Sequence, residues 1–564
     1  MSQNKTSLEK SNDEPTDDNY KLDQKGELEE KYADDGKIKI SRRKLVTIVC
    51  ILACELCERM TYYSVLANLI LFCTSILSMN TEDATTVSLV FSGTVYVIPV
   101  FGGYVADSMA GKYNTILGSG FIYSLGLVLL PTAAIDYSGF FDRDAEGRPM
   151  DLSNEVRKVF FFLGLMLIAI GTGGIKANVS PFGAQQVDNL GPKAVQTFFN
   201  WFYWFINAGA LIAYSAVSYI QQEINFAYGF LVPLISMILA MLILVSSKNH
   251  YVMTPPSGSI LQTAVRVCVF ARCRKLDRAK EKHGGIFDDR TVDAVVSVLR
   301  IIPIFIPIIF YWAIYSQMGT TFFVQSERMD LRAGGAKLPI AILNTFNSII
   351  ILVLIPIMDR IVYPILAKYG RHPSHLQRIG FGMVLAAASL FIAGGLEIIR
   401  KDDIAANGVI TQTLSKDQFN ASTISMFAQI PQFMLIGASE VFTSASGLEF
   451  AFSQAPESMQ GLLTGLFHLT SGLGNYVSMA IIRIVSAATT EHPWYPDDIN
   501  FGYAENLLFL IGGIMMVNFV IFVVLAKRYI YRRTTQTDDQ LIEEKNGSGT
   551  IYVIPDGNID STKL

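Results

Sequence analysis

The stretch VTIVCILACELCERMTYYSVLANLILF, residues 46–72, decides the fold, because it is long and apolar enough to cross a bilayer and yet charged at its centre. The polar residues at that centre are Glu55, Glu58, Arg59, Tyr62 and Tyr63. With about 100° of rotation per helical residue, all five fall within an arc of about 140°. Each ionisable group costs roughly 2.5–3.5 kcal/mol at the centre of a membrane helix. We therefore expect this face to point into a water-filled cleft.

The alternative is an internal ion-pair knot that holds helices together and has no role in transport. Two acids against one base, with two tyrosines beside them, exceed what such a knot needs. The guanidinium of Arg59 can hold a carboxylate, and a buried glutamate can carry a proton. The pattern therefore favours a functional site.

The composition indicates a membrane protein with many spans. Of the 564 residues, 51% are hydrophobic and only 17% are charged, whereas a soluble protein carries about 25% charged residues. The basic residues form no face interleaved with aromatic ones, so no nucleic-acid partner is expected. The nearest approach to a phosphate-binding loop, ADSMAGKY, lacks the first glycine and the final Ser or Thr, which argues against an ATP-driven pump. The function that we therefore expect is transport driven by an ion gradient, without a cofactor.

The sequence predicts an all-α membrane protein with twelve transmembrane helices in two six-helix bundles. The predicted spans are residues 46–72, 86–106, 114–134, 158–178, 196–219, 227–246, 300–324, 337–361, 378–398, 422–449, 459–485 and 505–526. The loops on one side are the richer in Lys and Arg, so the positive-inside rule places that side and both termini in the cytoplasm. With no signal-peptide core near Met1, the first span is expected to act as its own signal-anchor.

Five regions follow from this division of the chain. They are an acidic, disordered tail (1–43), an N-terminal bundle (44–246), a cytoplasmic linker (247–299), a C-terminal bundle (300–527) and a second cytoplasmic tail (528–564). Residues 259–284 of the linker can form a basic amphipathic helix that lies along the inner membrane surface. Two six-span halves with such a linker are typical of the major facilitator superfamily, whose binding site lies between the halves at mid-membrane.

Several motifs carry a more specific resemblance. Glu55-Leu56-Cys57-Glu58-Arg59 followed by Tyr62-Tyr63 is similar to the EXXER and YY motif in the first helix of the proton-dependent oligopeptide transporter family. GGYVADSMAGKYNTI, GTGGIKANVSPFGAQQ, FFNWFYWFINAGAL, FYWAIYSQMGT and GASEVFTSASGLEFAFSQAPESMQG resemble further signatures of that family, so the resemblance covers all twelve spans. The short loop between the ninth and tenth spans resembles fungal members more than animal ones.

The resemblance implies a proton-coupled importer of di- and tripeptides in the plasma membrane, working as a monomer. Arg59 and Lys176 would then bind the peptide carboxylate, while Glu440, Asn347 and Asn207 would bind the amine. Tyr62, Tyr63, Tyr96, Tyr203 and Trp312 would line side-chain pockets. Glu55, Glu58, Arg59 and Glu440 would couple transport to protons. Glu449 is assigned to substrate binding as well, either directly or as a partner of a binding residue, with a helix-packing acid as the alternative. It lies nine residues after Glu440, on the opposite face of a straight helix, so it lines the same cavity only if the helix bends near Ser444 and Gly447.

Other features leave alternatives open. Leu66 stands where many family members carry a second Arg, and Ser316 stands where some animal members carry an Asp, so proton handling depends more on the glutamates. His468, the one histidine within a predicted span, is expected to pack or hydrogen-bond, and Cys54 and Cys57 to pack. Relatives in the family carry nitrate or other small solutes, and a peptide-sensing receptor without net transport is a further alternative.

Overall fold

A computed structural model describes residues 42–137, 152–256, 258, 260–270, 276–370, 373–415, 417–454, 456 and 459–531. Both predicted tails, except for their innermost residues, lie outside this description, as does most of the outer loop before the fourth predicted span. Within the described residues, nearly all of the chain between the tails is helical. The fold class predicted from the sequence is therefore confirmed as mostly helical.

The helices of the first half precede the linker helix. They are α1 (Arg42–Ala67), α2 (Leu69–Ser75), α3 (Thr81–Val105), α4 (Lys112–Ala134), α5 (Asn154–Gln185), α6 (Pro192–Ile212) and α7 (Phe226–Ser246), followed by α8 (Ile260–Phe270) in the linker. Helix α1 packs on α6 and α7, and α5 packs on α3 and α4. Asn80 caps the start of α3 by accepting a hydrogen bond from the backbone N–H of Asp83 at 2.6 Å.

The second half has more interruptions. Its helices are α9 (Asp289–Tyr315), α10 (Thr321–Glu327), α11 (Asn344–Ile357), α12 (Tyr363–Lys368), α13 (His375–Asn407), α14 (Ile430–Glu440), α15 (Ser446–Gln454), α16 (Gln460–Ala488) and α17 (Ala504–Arg528). Two antiparallel hairpins accompany them, β1 (Arg332–Ala333) with β2 (Ala336–Lys337), and β3 (Ile410–Leu414) with β4 (Asp417–Ala421). A π-helical turn, Val441–Ala445, joins α14 to α15.

Eight helical segments of the described residues are long and apolar enough to cross a membrane. Helix α1 is not among them, because Glu55, Glu58 and Arg59 stand within its apolar stretch. These segments and the overall helical content agree with a protein that spans the membrane several times.

Several element boundaries differ from the sequence-based predictions. Helix α9 begins at Asp289, within the predicted linker, because Asp288 accepts a hydrogen bond from the backbone N–H of Arg290 and caps the helix. The predicted amphipathic helix is α-helical over Ile260–Phe270, and short 3₁₀ turns follow residue 275. The loop before the tenth predicted span contains the β3–β4 hairpin. A π-helical turn that contains Ser444 interrupts the α-helix of that span.

The two halves approach closely where α3 meets α16. A Cβ atom added at Gly472 of α16 would lie 2.8 Å from the carbonyl oxygen of Gly93 in α3. Since real Cβ atoms do not come so near, glycine is needed for this contact, as in other small-residue helix interfaces in membranes. The contact holds the two halves against each other along these helices.

Hydrogen bonds between the halves gather at the end of the molecule that carries the two hairpins, which we call the hairpin end. The backbone N–H of Thr81 donates to Asp497 at 2.8 Å, and that of Ile340 donates to the side chain of Gln222 at 3.1 Å. Arg483 of α16 forms an ion pair with Glu82 at 2.8 Å and contacts Asp83 as well. The two halves are therefore joined at the hairpin end.

Candidate functional site

The charged centre of α1 forms one compact cluster. The Nε atom of Arg59 lies 2.5 Å from Oε2 of Glu58 and 3.3 Å from Oε1 of Glu55. Arg59 Nη2 also contacts Glu58 Oε2. Two carboxylates therefore share one guanidinium. The other oxygen of Glu58, Oε1, is shielded from water and has no hydrogen-bond partner among the described residues.

This cluster is drier than the sequence led us to expect. Glu55, Glu58 and Arg59 are only 6%, 2% and 5% exposed, so the prediction that they open on water is wrong for this structure. Tyrosine rings cover the cluster, and the centroid of the Tyr62 ring lies 5.3 Å from the guanidinium carbon of Arg59. The charges do not face lipid, because α6 and α7 pack against α1 and other polar residues lie beside the cluster.

A second cation, Lys176 of α5, lies beside the first. Its Nζ atom is 3.2 Å from the ring centroid of Tyr96 in α3 and 5.9 Å from that of Tyr62. This ammonium is buried, and no hydrogen-bond partner for it is found in the described part of the chain. Because an ammonium has three donors, an anion beside Lys176 would bind to donors that the protein leaves unsatisfied.

The facing half of the molecule supplies an acid. Glu440 at the end of α14 contacts Tyr315 of α9 and Asn347 of α11, and Asn347 Nδ2 lies 3.4 Å from the Tyr315 hydroxyl. Three buried atoms of this group lack a hydrogen-bond partner among the described residues: Glu440 Oε2, Asn347 Oδ1 and the Nε1 of Trp312. Two of the three are acceptors, which suits a cationic ligand.

Tyrosines connect the two groups. Tyr63 of α1 lies within electrostatic range of both Arg59 and Glu440, and Tyr96 does so as well. Tyr63 and Tyr96 therefore lie near both the cations of the first half and the acid of the second. Tyr203 of α6, 39% exposed, is also within electrostatic range of Glu440.

Of two further predicted residues, Asn207 stays beside Tyr203 and Glu449 lies elsewhere. The side-chain amide of Asn207 donates to the carbonyl oxygen of Tyr203, one turn back on its own helix, at 2.8 Å. Glu449 pairs with His375 at 3.3 Å and Arg378 at 3.5 Å, and its side chain is 59% exposed. The structure thus corrects the substrate-binding assignment of Glu449, because the π-helical turn does not bring it to Glu440 and it instead links α15 to α13.

The sequence analysis missed two tyrosines of the site. Tyr315 contacts Glu440 and Asn347, and Tyr214 packs against Tyr63 with ring centroids 5.3 Å apart. Tyr315 lies one helical turn after Trp312, which was predicted, so its spacing could have revealed it. The described residues contain no group of His, Cys, Asp and Glu side chains that could hold a metal ion. Cys54 donates to the carbonyl oxygen of Ala240 at 2.9 Å, as expected of a packing thiol.

Comparison with known proteins identifies the relatives of this chain. The model described as the POT family matches residues 113–497. Protein NRT1/PTR FAMILY 8.2 of Arabidopsis thaliana is 32% identical over 551 residues, covering 86% of this chain and 93% of its own length. Solute carrier family 15 member 3 of Mus musculus is 30% identical over 540 residues, covering 88% and 93%. These relatives come from a plant and a mammal, so the expected closeness to fungal members stays a prediction.

Solved structures agree with the fold. A crystal structure of the POT family transporter PepTSo is 25% identical, with a TM-score of 0.69, and the match covers 87% of this chain and 99% of that one. A crystal structure of an auto-inhibited POT family peptide transporter is 23% identical, with a TM-score of 0.69 and coverage of 88% and 99%. The chain therefore has the fold of a multi-pass membrane transporter.

Proposed function

Because this chain belongs to the POT family, whose members are transporters and not enzymes, we propose that it is a proton-coupled symporter that imports di- and tripeptides. Its twelve spans form two six-helix bundles that alternate access to a site between them. Both termini lie in the cytoplasm, the protein acts as a monomer in the plasma membrane, and the proton gradient supplies the energy.

One observation carries the proposal. The Lys176 ammonium of the first half and Glu440 Oε2 of the second are buried without a hydrogen-bond partner among the described residues, and Arg59 is shared between Glu55 and Glu58. A peptide is a zwitterion whose carboxylate and ammonium groups lie at opposite ends. It would satisfy both groups at once, and unpaired buried charges are otherwise strongly destabilising. Peptide binding would thus draw the two halves together.

Proton coupling follows from the sharing of Arg59. While Glu55 and Glu58 are both ionised, they hold the guanidinium between them. A proton on Glu58 would neutralise that acid and release Arg59 to bind the peptide carboxylate. A proton moving down about 100 mV gains about 2.3 kcal/mol, and one pH unit adds about 1.4 kcal/mol. Together these energies allow accumulation of a neutral solute on the order of several hundred-fold.

Alternating access requires that one end of the cleft close while the other opens. The hairpin end, where hydrogen bonds join the halves, carries the loops that the positive-inside rule assigns to the outside. In this proposal the structure represents a carrier closed toward the outside. Release of the contacts of Thr81 and Gln222 then accompanies opening toward external peptide.

Nitrate is the second candidate substrate, because relatives of this chain carry the name NRT1/PTR. A small anion would satisfy Lys176 and Arg59 but leave Glu440 with its unpaired oxygen. Glu440 therefore favours a substrate that also carries a positive group. A peptide receptor without net transport would use the same site, and flux measurements separate these functions.

The test is uptake of a labelled dipeptide into proteoliposomes under an imposed pH gradient, with nitrate and free amino acids as competitors. We expect acid-driven accumulation that other dipeptides inhibit and that nitrate and amino acids do not. Glu58→Gln should abolish accumulation but preserve dipeptide exchange, whereas Glu449→Gln, outside the site, should behave as wild type. Binding without flux would indicate a receptor, and normal accumulation by Glu58→Gln would refute the coupling mechanism.

A further inference from the structure

His468 of α16 is a titratable side chain that the mechanism above does not use. Its Nδ1 atom lies 2.9 Å from the carbonyl oxygen of Thr464, one turn back on the same helix. A carbonyl oxygen only accepts hydrogen bonds, so Nδ1 must carry a proton in either charge state of the ring. The nitrogen that changes its protonation is therefore Nε2, which this bond leaves free.

The imidazole lies on an accessible part of α16. The His468 side chain is exposed in this structure, unlike its neighbour Phe467, which is buried. One turn further along α16, Gly472 approaches the Cβ of Tyr96, so a Cβ added there would lie 3.3 Å away. Residues four apart share a helix face, so His468 lies on the side of α16 turned toward Tyr96.

Tyr96, on that side of α16, contacts Lys176 of the proposed peptide site. The ring of Tyr96 carries the Lys176 ammonium at 3.2 Å, and a protonated His468 would lie within electrostatic range of that ammonium. His468 therefore lies near the end of the site that would hold the peptide carboxylate. Neither Arg59 nor Glu440, at the two ends of the proposed peptide, needs it for the functions already assigned.

The charged and titratable groups around His468 are few in the described residues. Lys176 faces it from α5, and Tyr96 is the neighbouring titratable group of α3. The acid of α15, Glu449, is engaged by the side chains at the start of α13. From α9, the apolar Phe305 packs on the residue beside His468. No acid in this part of the structure compensates a protonated imidazole.

We propose that His468 determines specificity for the last side chain of the peptide. This inference rests on the proposed peptide site and names a residue that would recognise the carboxylate end of the peptide. When neutral, Nε2 accepts a hydrogen bond from the last residue of the peptide. When protonated, the ring is a second cation beside Lys176 and selects peptides whose last side chain is acidic, because that carboxylate relieves the repulsion between the two cations.

The test compares Ala-Glu with Ala-Gln as competitors of labelled dipeptide counterflow, with equal pH on both sides of the proteoliposome membrane. The protonated fraction of the imidazole increases as the pH falls from 7.5 to 5.5, while the glutamate side chain stays ionised. In the wild type, the preference for Ala-Glu over Ala-Gln should rise about fivefold at pH 5.5, as expected for one partly hydrated ion pair.

His468→Gln should remove this rise, and His250→Gln, which changes an exposed histidine outside the spans, should keep it. A preference that does not change with pH in the wild type would overturn the inference without reference to any variant. An equal rise in His468→Gln would overturn it as well. Failure of both dipeptides to compete would instead refute the proposed function, so the two failures are distinguishable.

Discussion

Two buried clusters of Glu and Arg in this protein differ in how completely they are satisfied. In α13, Arg400 binds Glu397 through Nε at 2.9 Å and Nη2 at 2.5 Å. Its Nη1 donates to the carbonyl oxygen of Arg328 at 3.3 Å and to Asn500, and Gln325 donates to Glu397 at 2.8 Å. Every oxygen of that acid is paired, and both side chains are 0% exposed.

The cluster of α1 is equally dry but incomplete. Its two acids share Arg59, and Glu58 Oε1 has no partner among the described residues. Burial of charge alone therefore does not distinguish a functional site from a structural one. The distinction lies in what is left unsatisfied, because a saturated pair fixes its helices and an unsaturated one can exchange partners.

The largest expected effect is on the free energy of unfolding, which a Gln substitution should lower more in the α13 cluster than in the α1 cluster. Glu397→Gln leaves the buried charge of Arg400 uncompensated and should lower the free energy of unfolding by roughly 3–5 kcal/mol. Glu58→Gln leaves Arg59 paired with Glu55, so no buried charge is left uncompensated and the loss of stability should be smaller. Thermal and denaturant unfolding of the two purified variants in the same detergent measures the difference. Equal destabilisation would show that the two clusters stabilise the fold to the same extent.

The same pair of variants should diverge in the opposite direction in transport. Folded Glu397→Gln protein is expected to accumulate dipeptide as the wild type does, per molecule, whereas Glu58→Gln is expected to have lost accumulation. Uptake normalised to folded protein provides the readout. Opposite effects of the two variants on stability and on transport cannot result from a general loss of folding.

The sequence revealed one cluster and not the other for a physical reason. The acids, the base and the tyrosines of α1 lie within nine residues, so helical periodicity alone places them on one face. Glu397 and Arg400 are also three residues apart, yet their remaining partners, Gln325 and Asn500, come from distant segments. The i, i+3 spacing could have suggested an ion pair, but only the tertiary fold shows that it is buried and complete.

Other differences between the sequence-based predictions and the structure also arise from contacts that periodicity does not show. Periodicity located the helices, but the start of α9 depends on a cap at Asp288, and the β3–β4 hairpin depends on pairing between two short strands of a loop. Leu414 and Phe419 of that hairpin are buried, and the residues beside Phe419 are exposed, as alternation would predict. The position of Glu449 could not be derived, because the direction of a π-helical bend is set by packing.

A smaller effect is expected at the acid of the peptide site. Glu440→Gln removes the charge that would bind the peptide amine and should weaken dipeptide binding roughly tenfold to one hundredfold, as for hydrogen bonds to charged groups. An N-acetylated dipeptide, which lacks the ammonium, serves as the matched ligand. Its weaker binding should be nearly the same in the wild type and the variant, and competition against a labelled dipeptide measures both. Equal losses for the two ligands would remove Glu440 from recognition of the amine.

The smallest effect is expected for a third kind of ion pair, which is satisfied but hydrated. Arg483 binds Glu82 and Asp83 across the two halves at the hairpin end, and its side chain is 42% exposed. Such pairs contribute at most about 1 kcal/mol and are screened by salt, so Arg483→Gln should shift the balance toward the open hairpin end by no more than about fivefold.

Distances between spin labels placed on α3 and α16 at this end report the shift. Salt at about 1 M should reproduce it in the wild type, where the Debye length falls to about 3 Å, and should add nothing in Arg483→Gln. A variant that stays as sensitive to salt as the wild type would mean that other charges hold this end, and that the ion pair follows closure without stabilising it.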